Sequence, residues 1–132
     1  MSYLLIGIGG ALGSVARYWC SLMAAAKVGG SFPWGTIMVN IIGSFLIGAA
    51  MGGLEAGGRW QVSPVVRDFV NQFFMIGVLG GYTTFSSFSL QTLNLLREQH
   101  WMEAGINVML SVALCLVAVW LGYVLSVVLS RT

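Results

Sequence analysis

Charged residues are scarce in this sequence. They make up 8% of its 132 residues, against roughly 25% in soluble domains. Hydrophobic residues make up 58%, and the mean hydropathy is +0.88. The net charge of +2 is too small to indicate a nucleic-acid partner, and the basic residues form no polybasic cluster. These scarcities exclude a soluble domain and predict a single integral membrane domain over residues 1–132, in contact with membrane lipid.

Residues that carry covalent, metal or proton chemistry are also few. Cys20 and Cys115 have no CxxC spacing and are expected to act as small apolar residues. The single histidine, His100, has neighbours of ordinary surface type. No HExxH or GxSxG motif occurs, and no nucleophile, base and orienting group are placed together. The sequence therefore predicts a protein that is not an enzyme.

Long apolar segments are what the sequence does contain. Segments long enough to cross a membrane are predicted at about 3–26, 33–54, 65–97 and 102–130, which gives an all-α fold with four transmembrane helices. Each segment carries one stripe of small or polar residues, a pattern that favours close helix packing in lipid. In the first segment the stripe ends in Arg17, which either snorkels to the membrane surface or is a buried functional cation.

The third segment contains a break. The uncharged run from Phe69 to Leu96 has 28 residues, more than the ~20 that a straight transmembrane helix needs. Gly80 and Gly81 are followed by Thr83 and Thr84, and such residues are poor helix formers. Two half-helices are therefore expected to meet near the bilayer midplane, with the break at 80–84. Because broken helices are tolerated at that depth only where protein, water or an ion satisfies the freed backbone, the break is the first candidate site.

Aromatic, hydroxyl and amide side chains follow the break. Phe85 and Phe88 share one helical face, and Thr84, Ser87 and Gln91 form an adjoining polar stripe. These residues either line an ion path or have ordinary packing roles, with the hydroxyls bonding back to their own helix. Asn40 lies near the middle of the second segment, where it either makes an interhelical hydrogen bond or donates to a passing ion.

The positive charges show no bias between the two sides of the membrane. Arg59, Arg67 and Arg131 fall on the side of the termini, and Lys27 and Arg97 fall on the other. Since the positive-inside rule orients a protein only when its loops differ, the chain is expected to insert both ways up. An antiparallel, dual-topology homodimer would then bury the same patch on both subunits around a two-fold axis in the membrane plane.

The motifs together resemble one family, the Fluc (CrcB) fluoride channels of microbes. The resemblance covers all four segments in order. It is carried by Gly9-Gly10-x-x-Gly13-x-x-x-Arg17-Tyr18, Pro33-Trp34-Gly35-Thr36-x-x-x-Asn40-x-x-Gly43-Ser44 and, most specifically, Gly77-x-x-Gly80-Gly81-x-Thr83-Thr84-Phe85-Ser86-x-Phe88-Ser89.

The resemblance implies passive, fluoride-selective flow that relieves fluoride toxicity, in the bacterial inner membrane. It implies an antiparallel dimer with two fluoride pores, each built from both subunits, and a central structural Na⁺ held by the carbonyls of Gly80 and Thr83 from each chain. Arg17 and Gly81 would be structural. The residues that it implies along the fluoride path are Asn40, Thr84, Phe85, Ser87, Phe88, Gln91 and Ser111.

Two departures from the family pattern matter. Similar channels often have a carboxylate where this chain has Gln91, and a threonine where it has Cys115, a weaker hydrogen-bond donor. The alternative function is a small proton-coupled multidrug exporter, which can share the antiparallel four-helix design but needs a carboxylate within the membrane. All four acids, Glu55, Asp68, Glu98 and Glu103, lie at predicted segment ends.

Overall fold

The computed structural model of the chain describes residues 2–28, 32–56 and 62–131, and this part of the chain is helical and contains no strand. The predicted all-α fold is therefore confirmed for these residues. Arg59 and Trp60 lie outside the described residues. The helices are α1 (Ser2–Val28), α2 (Trp34–Glu55), α3 (64–82), α4 (Phe85–Arg97) and α5 (Trp101–Arg131).

By length and composition, three of the described helical segments can cross a membrane. They are Trp34–Glu55, Pro64–Arg97 and Trp101–Arg131, with 22, 34 and 31 residues. With its 27 residues α1 is long enough, but it is not among the three because Arg17 and several glycines lower its hydropathy. Three of the four predicted crossings are thus supported by composition. That α1 crosses the membrane is supported by its packing against the other helices.

Glycines on α1 lie directly against the backbone of α3. A Cβ atom at Gly9 would overlap the carbonyl oxygen of Phe73, and one at Gly13 would overlap that of Val78. Because the contacts advance along both helices in the same direction, α1 and α3 run parallel. Gly81 on α3 faces Gly10 on α1 in the same way, so the packing role expected for Gly81 fits its position.

A second parallel pair joins α2 and α5, which share the largest interhelical contact of the described chain. A Cβ atom at Gly48 would overlap the carbonyl oxygen of Val119, and one at Gly122 would overlap that of Phe45. Gly35, near the start of α2, meets Ser21 near the end of α1. Neighbouring segments therefore run in opposite directions, and α1 lies beside a membrane-spanning segment as a crossing helix would.

The third segment is interrupted where the glycines and threonines predict it. Thr83 and Thr84 have extended backbone conformations, with ψ of 156° and 110°, between the end of α3 and the start of α4. One feature of α3 was not predicted from the sequence, namely the π-helical hydrogen bonding of Val70–Leu79. Such wider turns in membrane and soluble helices are often found at functional sites, and here the π-helical stretch ends immediately before the break.

Polar contacts hold the helix ends. Ser63 caps α3 by accepting from Val66 N, and Arg67 donates to the Leu54 carbonyl at the end of α2 over 2.7 Å. At the opposite end of the bundle, His100 Nδ1 lies 3.0 Å from Glu103 Oε1 in the turn that starts α5. These charged groups lie at the two ends of the bundle, whereas Arg17 lies within α1, away from both of its ends.

Candidate functional site

A cavity of about 380 Å³ lies beside the break in the third segment. It brings together α2, the end of α3, the start of α4 and the middle of α5. Its walls are largely apolar, with a few hydroxyl and amide groups among them. The residues predicted for the site that line it are Asn40, Gly80, Thr83, Thr84, Phe85, Phe88 and Ser111, and Cys115 lies beside them.

The amide of Asn40 holds the extended backbone at Thr84. Asn40 Nδ2 donates to the Thr84 carbonyl over 3.1 Å, and Thr84 N donates to Asn40 Oδ1 over 2.8 Å. Of the two roles open to Asn40 from the sequence, the interhelical hydrogen bond is the one that the structure contains. A side-chain amide carries two N–H groups, so the second remains available toward the cavity that Asn40 lines.

Thr84 also begins the second half-helix. Its Oγ1 accepts from Ser87 N over 3.1 Å and lies 3.0 Å from Ser87 Oγ, an N-cap arrangement. Thr84 is buried, whereas Ser87 is half-buried and does not line the cavity. The predicted polar stripe is therefore divided: Thr84 lies at the cavity and Ser87 supports it from behind.

The break changes the hydrogen-bond partners available to two backbone carbonyls. In a continuous helix the Gly80 carbonyl would accept from Thr84 N, and the Thr83 carbonyl from Ser87 N. Here Thr84 N donates to Asn40 and Ser87 N donates to Thr84 Oγ1. Gly80 is exposed at the cavity wall. Two carbonyls without their helical donors, at the cavity wall, form a donor set that fits a hard cation such as Na⁺.

The two phenylalanines form one tilted pair on the cavity wall. Their ring centroids are 5.3 Å apart with 49° between the ring planes, so the edge of one ring approaches the other. Phe88 is half-buried, whereas Phe85 is 78% exposed. Because this large aromatic side chain is exposed, the side of the cavity where it lies is open in the single chain.

A chain of hydrogen bonds runs from the cavity along the α4–α5 contact. Ser111 Oγ lies 3.5 Å from Asn107 Oδ1, Asn107 Nδ2 donates to Thr92 Oγ1 over 2.8 Å, and Thr92 donates to the Phe88 carbonyl over 2.8 Å. Asn107 has no exposed surface. The prediction of site residues missed Asn107 and Thr92, although the repeat of Asn107, Ser111 and Cys115 at spacings of four was the signal that could have found them.

Two predicted site residues lie elsewhere. Gln91 does not line the main cavity; it lines a second one of about 270 Å³ between the end of α1 and the start of α2, with Tyr18, Ser21 and Thr36. Its Oε1 is buried without a hydrogen-bond partner. Arg17 is half-buried and lines none of the cavities found in the described part of the chain. Gln91 is therefore separate from the phenylalanine pair.

The groups that line the cavity are uncharged. No carboxylate, histidine or basic side chain is among its lining residues. Within residues 2–28, 32–56 and 62–131, no group of three or more His, Cys, Asp or Glu side chains could hold a metal ion. What the site offers is backbone carbonyls, hydroxyl and amide donors, and aromatic ring edges.

Comparison with known proteins supports the same view. The family described as CrcB-like protein, Camphor Resistance (CrcB), matches residues 4–123. A relative from Methylocella silvestris named fluoride-specific ion channel FluC is 52% identical over 131 residues, which are 99% of this chain and 97% of the relative. A relative of the same name from Opitutus terrae is 55% identical over 125 residues, 95% of this chain and 92% of the relative. One from Rhodospirillum rubrum is 52% identical over 131 residues, 99% and 98% of the two chains.

Proposed function

Because this chain belongs to the CrcB family, we propose that it is a fluoride-selective channel through which cytoplasmic fluoride leaves a bacterial cell across the inner membrane. The chain is a multi-pass integral membrane protein and is not an enzyme. Flow is passive and follows the electrochemical gradient of the ion. Its physiological role is relief of fluoride toxicity.

The observation that carries the proposal is the composition of the cavity wall. Fluoride is small and strongly hydrated, so a narrow path must replace its water with hydrogen-bond donors. The second N–H of Asn40 is such a donor. The hydroxyl groups of Thr84 and Ser111 donate to Ser87 Oγ and Asn107 Oδ1 in the single chain and would turn toward the ion as it passes. The edges of Phe85 and Phe88 carry the positive part of the ring quadrupole and can face an anion without binding it tightly.

A second copy of the chain completes the path. Phe85 is 78% exposed and the cavity beside it is open in the single chain. An antiparallel homodimer of dual topology would cover this face in both subunits at once, because a two-fold interface buries the same patch twice. The two breaks would then meet, and each of two pores would take residues from both subunits.

A central Na⁺ would bind where the breaks meet. The carbonyls of Gly80 and Thr83 have lost their helical donors to Asn40 and Thr84, and a pair of each from the two subunits would supply four oxygen ligands. Such an ion would be coordinated by these carbonyl oxygens and would supply a positive charge close to the anion path. Its role in this proposal is structural.

The exporter alternative lacks the group on which it depends. A proton-coupled transporter needs a carboxylate within the membrane. Glu55 is the last residue of α2, Asp68 lies in the first turns of α3, Glu98 follows α4, and Glu103 lies in the first turn of α5. All four acids are at helix ends, and the channel is the function that the cavity supports better.

The test is fluoride efflux from liposomes that contain the purified protein, measured with a fluoride electrode beside chloride efflux. We expect fast fluoride release and negligible chloride release. In Phe85→Ile the rate of fluoride release should fall at least about tenfold, which corresponds to an increase of about 1.4 kcal/mol in the free-energy barrier to fluoride passage. Phe69→Ile is the matched control, since Phe69 stacks on Phe73 away from the cavity. A folded protein that releases no fluoride would refute the channel, and a proton gradient would then test the exporter.

A further inference from the structure

An apolar groove opens between α1 and α2 and is distinct from the two cavities described above. It has a volume of about 220 Å³. Three buried residues form its deep wall, Ala24, Val39 and Tyr82, which are 9%, 1% and 8% exposed. Its rim consists of partly or largely exposed side chains from both helices, Trp19, Cys20, Met23, Lys27, Met38 and Ile42.

This groove lies on a different face of the protein from the candidate site. Along α2 the cavity of the candidate site is lined by Asn40, Ser44 and Ile47, and the groove by Met38 and Ile42. At about 100° per residue, positions 42 and 44 are about 200° apart around the helix. Met38 and Ile42 therefore face another side of α2 than Asn40 and Ser44 do.

One end of the groove carries an uncompensated positive charge. Lys27 is the only lysine of the chain and lies in the last turn of α1, exposed. Among the described residues no carboxylate forms a salt bridge with it, the one such contact being that of His100 with Glu103. From Cys20 to Lys27 the groove follows α1 for about two turns, roughly 10 Å.

We propose that this groove holds one acyl chain of an anionic phospholipid, with the lipid phosphate on Lys27. The two parts of the site match the two parts of such a lipid: an apolar trough within the membrane and a cation at its end, where a headgroup lies. Charge complementarity selects an anionic lipid over a zwitterionic one.

The bound chain would also contact the broken segment. Tyr82 forms part of the deep wall of the groove, and the next two residues, Thr83 and Thr84, line the ion cavity on its other side. A Cβ atom at Gly43 would meet both the ring of Tyr82 and the methyl group of Thr83, so α2 holds these two side chains together. The lipid thus packs against the break from the side opposite the ion cavity.

Native mass spectrometry of the full chain in detergent, with phosphatidylglycerol and phosphatidylcholine added at equal concentration, tests the site. We expect one phosphatidylglycerol to be retained per chain with about fivefold preference over phosphatidylcholine, the factor that one lysine near a membrane surface provides. Lys27→Gln should abolish the preference, and Arg131→Gln, an exposed cation at the opposite end of the bundle, should keep it. Unchanged preference in Lys27→Gln would overturn the proposal.

Two experiments test whether the lipid occupies the groove. One fills the groove with a larger side chain, and the other uses the fluorescence of a tryptophan at its rim. Ile42→Trp should lower retention of both lipids, whereas Val117→Trp, at a similarly exposed position on α5, should not. Independently of any groove-filling variant, phosphatidylglycerol with brominated acyl chains should quench the Trp19 fluorescence more than brominated phosphatidylcholine does. The Trp19 contribution is the difference from Trp19→Phe. Equal quenching by the two lipids would contradict the site even if Ile42→Trp does not fold.

Discussion

Asn40 on α2 and Thr84 at the break of the third segment are joined by two hydrogen bonds, one to each backbone polar group of Thr84. This contact spans 44 residues of sequence. It replaces the helical hydrogen bond that the Thr84 N–H would otherwise make. The two half-helices are thereby prevented from joining into one continuous helix. The position of the phenylalanine pair in the cavity depends on it.

Removal of this contact should damage both stability and flux. In Asn40→Ala the Thr84 N–H and carbonyl lose their partners, which typically costs about 1–3 kcal/mol for a buried polar group. We expect a lower unfolding temperature and strongly reduced fluoride efflux. Asn94→Ala, on the exposed side of α4, is the control and should leave both unchanged. Wild-type efflux in Asn40→Ala would show that the break holds without this clamp.

Sodium should stabilise the folded protein, and this effect can be measured without an efflux assay. A ligand that binds only the native state at a hundred times its dissociation constant adds about 2.7 kcal/mol. We therefore expect a higher unfolding temperature in Na⁺ than in N-methylglucamine at equal ionic strength. The difference should shrink in Asn40→Ala, because Thr84 N is then free to return to the Gly80 carbonyl. Equal stability in the two cations would argue against an ion at these carbonyls.

The contact between α1 and α3 should tolerate no side chain at Gly13. A Cβ atom there overlaps the Val78 carbonyl oxygen and also approaches Tyr82 N. Gly13→Ala is expected to cost about 1–3 kcal/mol, as overpacking does. Gly7→Ala is the matched control, since a Cβ at Gly7 meets nothing within 4 Å, and it should be neutral or slightly stabilising. Thermal unfolding in detergent distinguishes the two, and similar midpoints for both variants would contradict the close packing.

His100 should titrate above its ordinary range. The hydrogen bond to Glu103 raises the pKa of His100 above 6.5, with a further contribution from the Glu103 charge. Its contribution to stability is therefore fully present below pH 6.5 and is lost as the pH rises through the raised pKa. The single histidine allows this to be followed by NMR of its ring protons. Glu103→Gln should lower the midpoint toward 6.5, and Glu98→Gln should lower it less. A midpoint that does not move in Glu103→Gln would exclude the contact in solution.

The sequence was most informative where local chemistry decides the structure. Pro33 and Trp34 predict the start of α2, and the Gly80 to Thr84 run predicts the break, because these residues act through their own backbone preferences. The all-α character of the described chain and its membrane character were predicted correctly from composition and from long apolar segments.

The relations that needed the structure are those between segments distant in sequence. That both hydrogen-bonding sides of the Asn40 amide go to Thr84, and that Asn107 meets Thr92, depends on how α2, α4 and α5 are placed side by side. Gln91 was grouped with Thr84 because they share a helical stripe. It lies two turns further along α4, where residues of α1 and α2 line the cavity beside it. The π-helical stretch of α3 has no sequence signal that we recognise.

The glycine contacts of α1 also bear on how the protein is made. Translation delivers α1 before the other described helices, and its hydropathy falls short of that of the other long segments. The surface that fits its glycines belongs to α3, which follows only after all of α2. The glycine face of α1 thus gains its packing partner only once the third segment has been inserted, after α2.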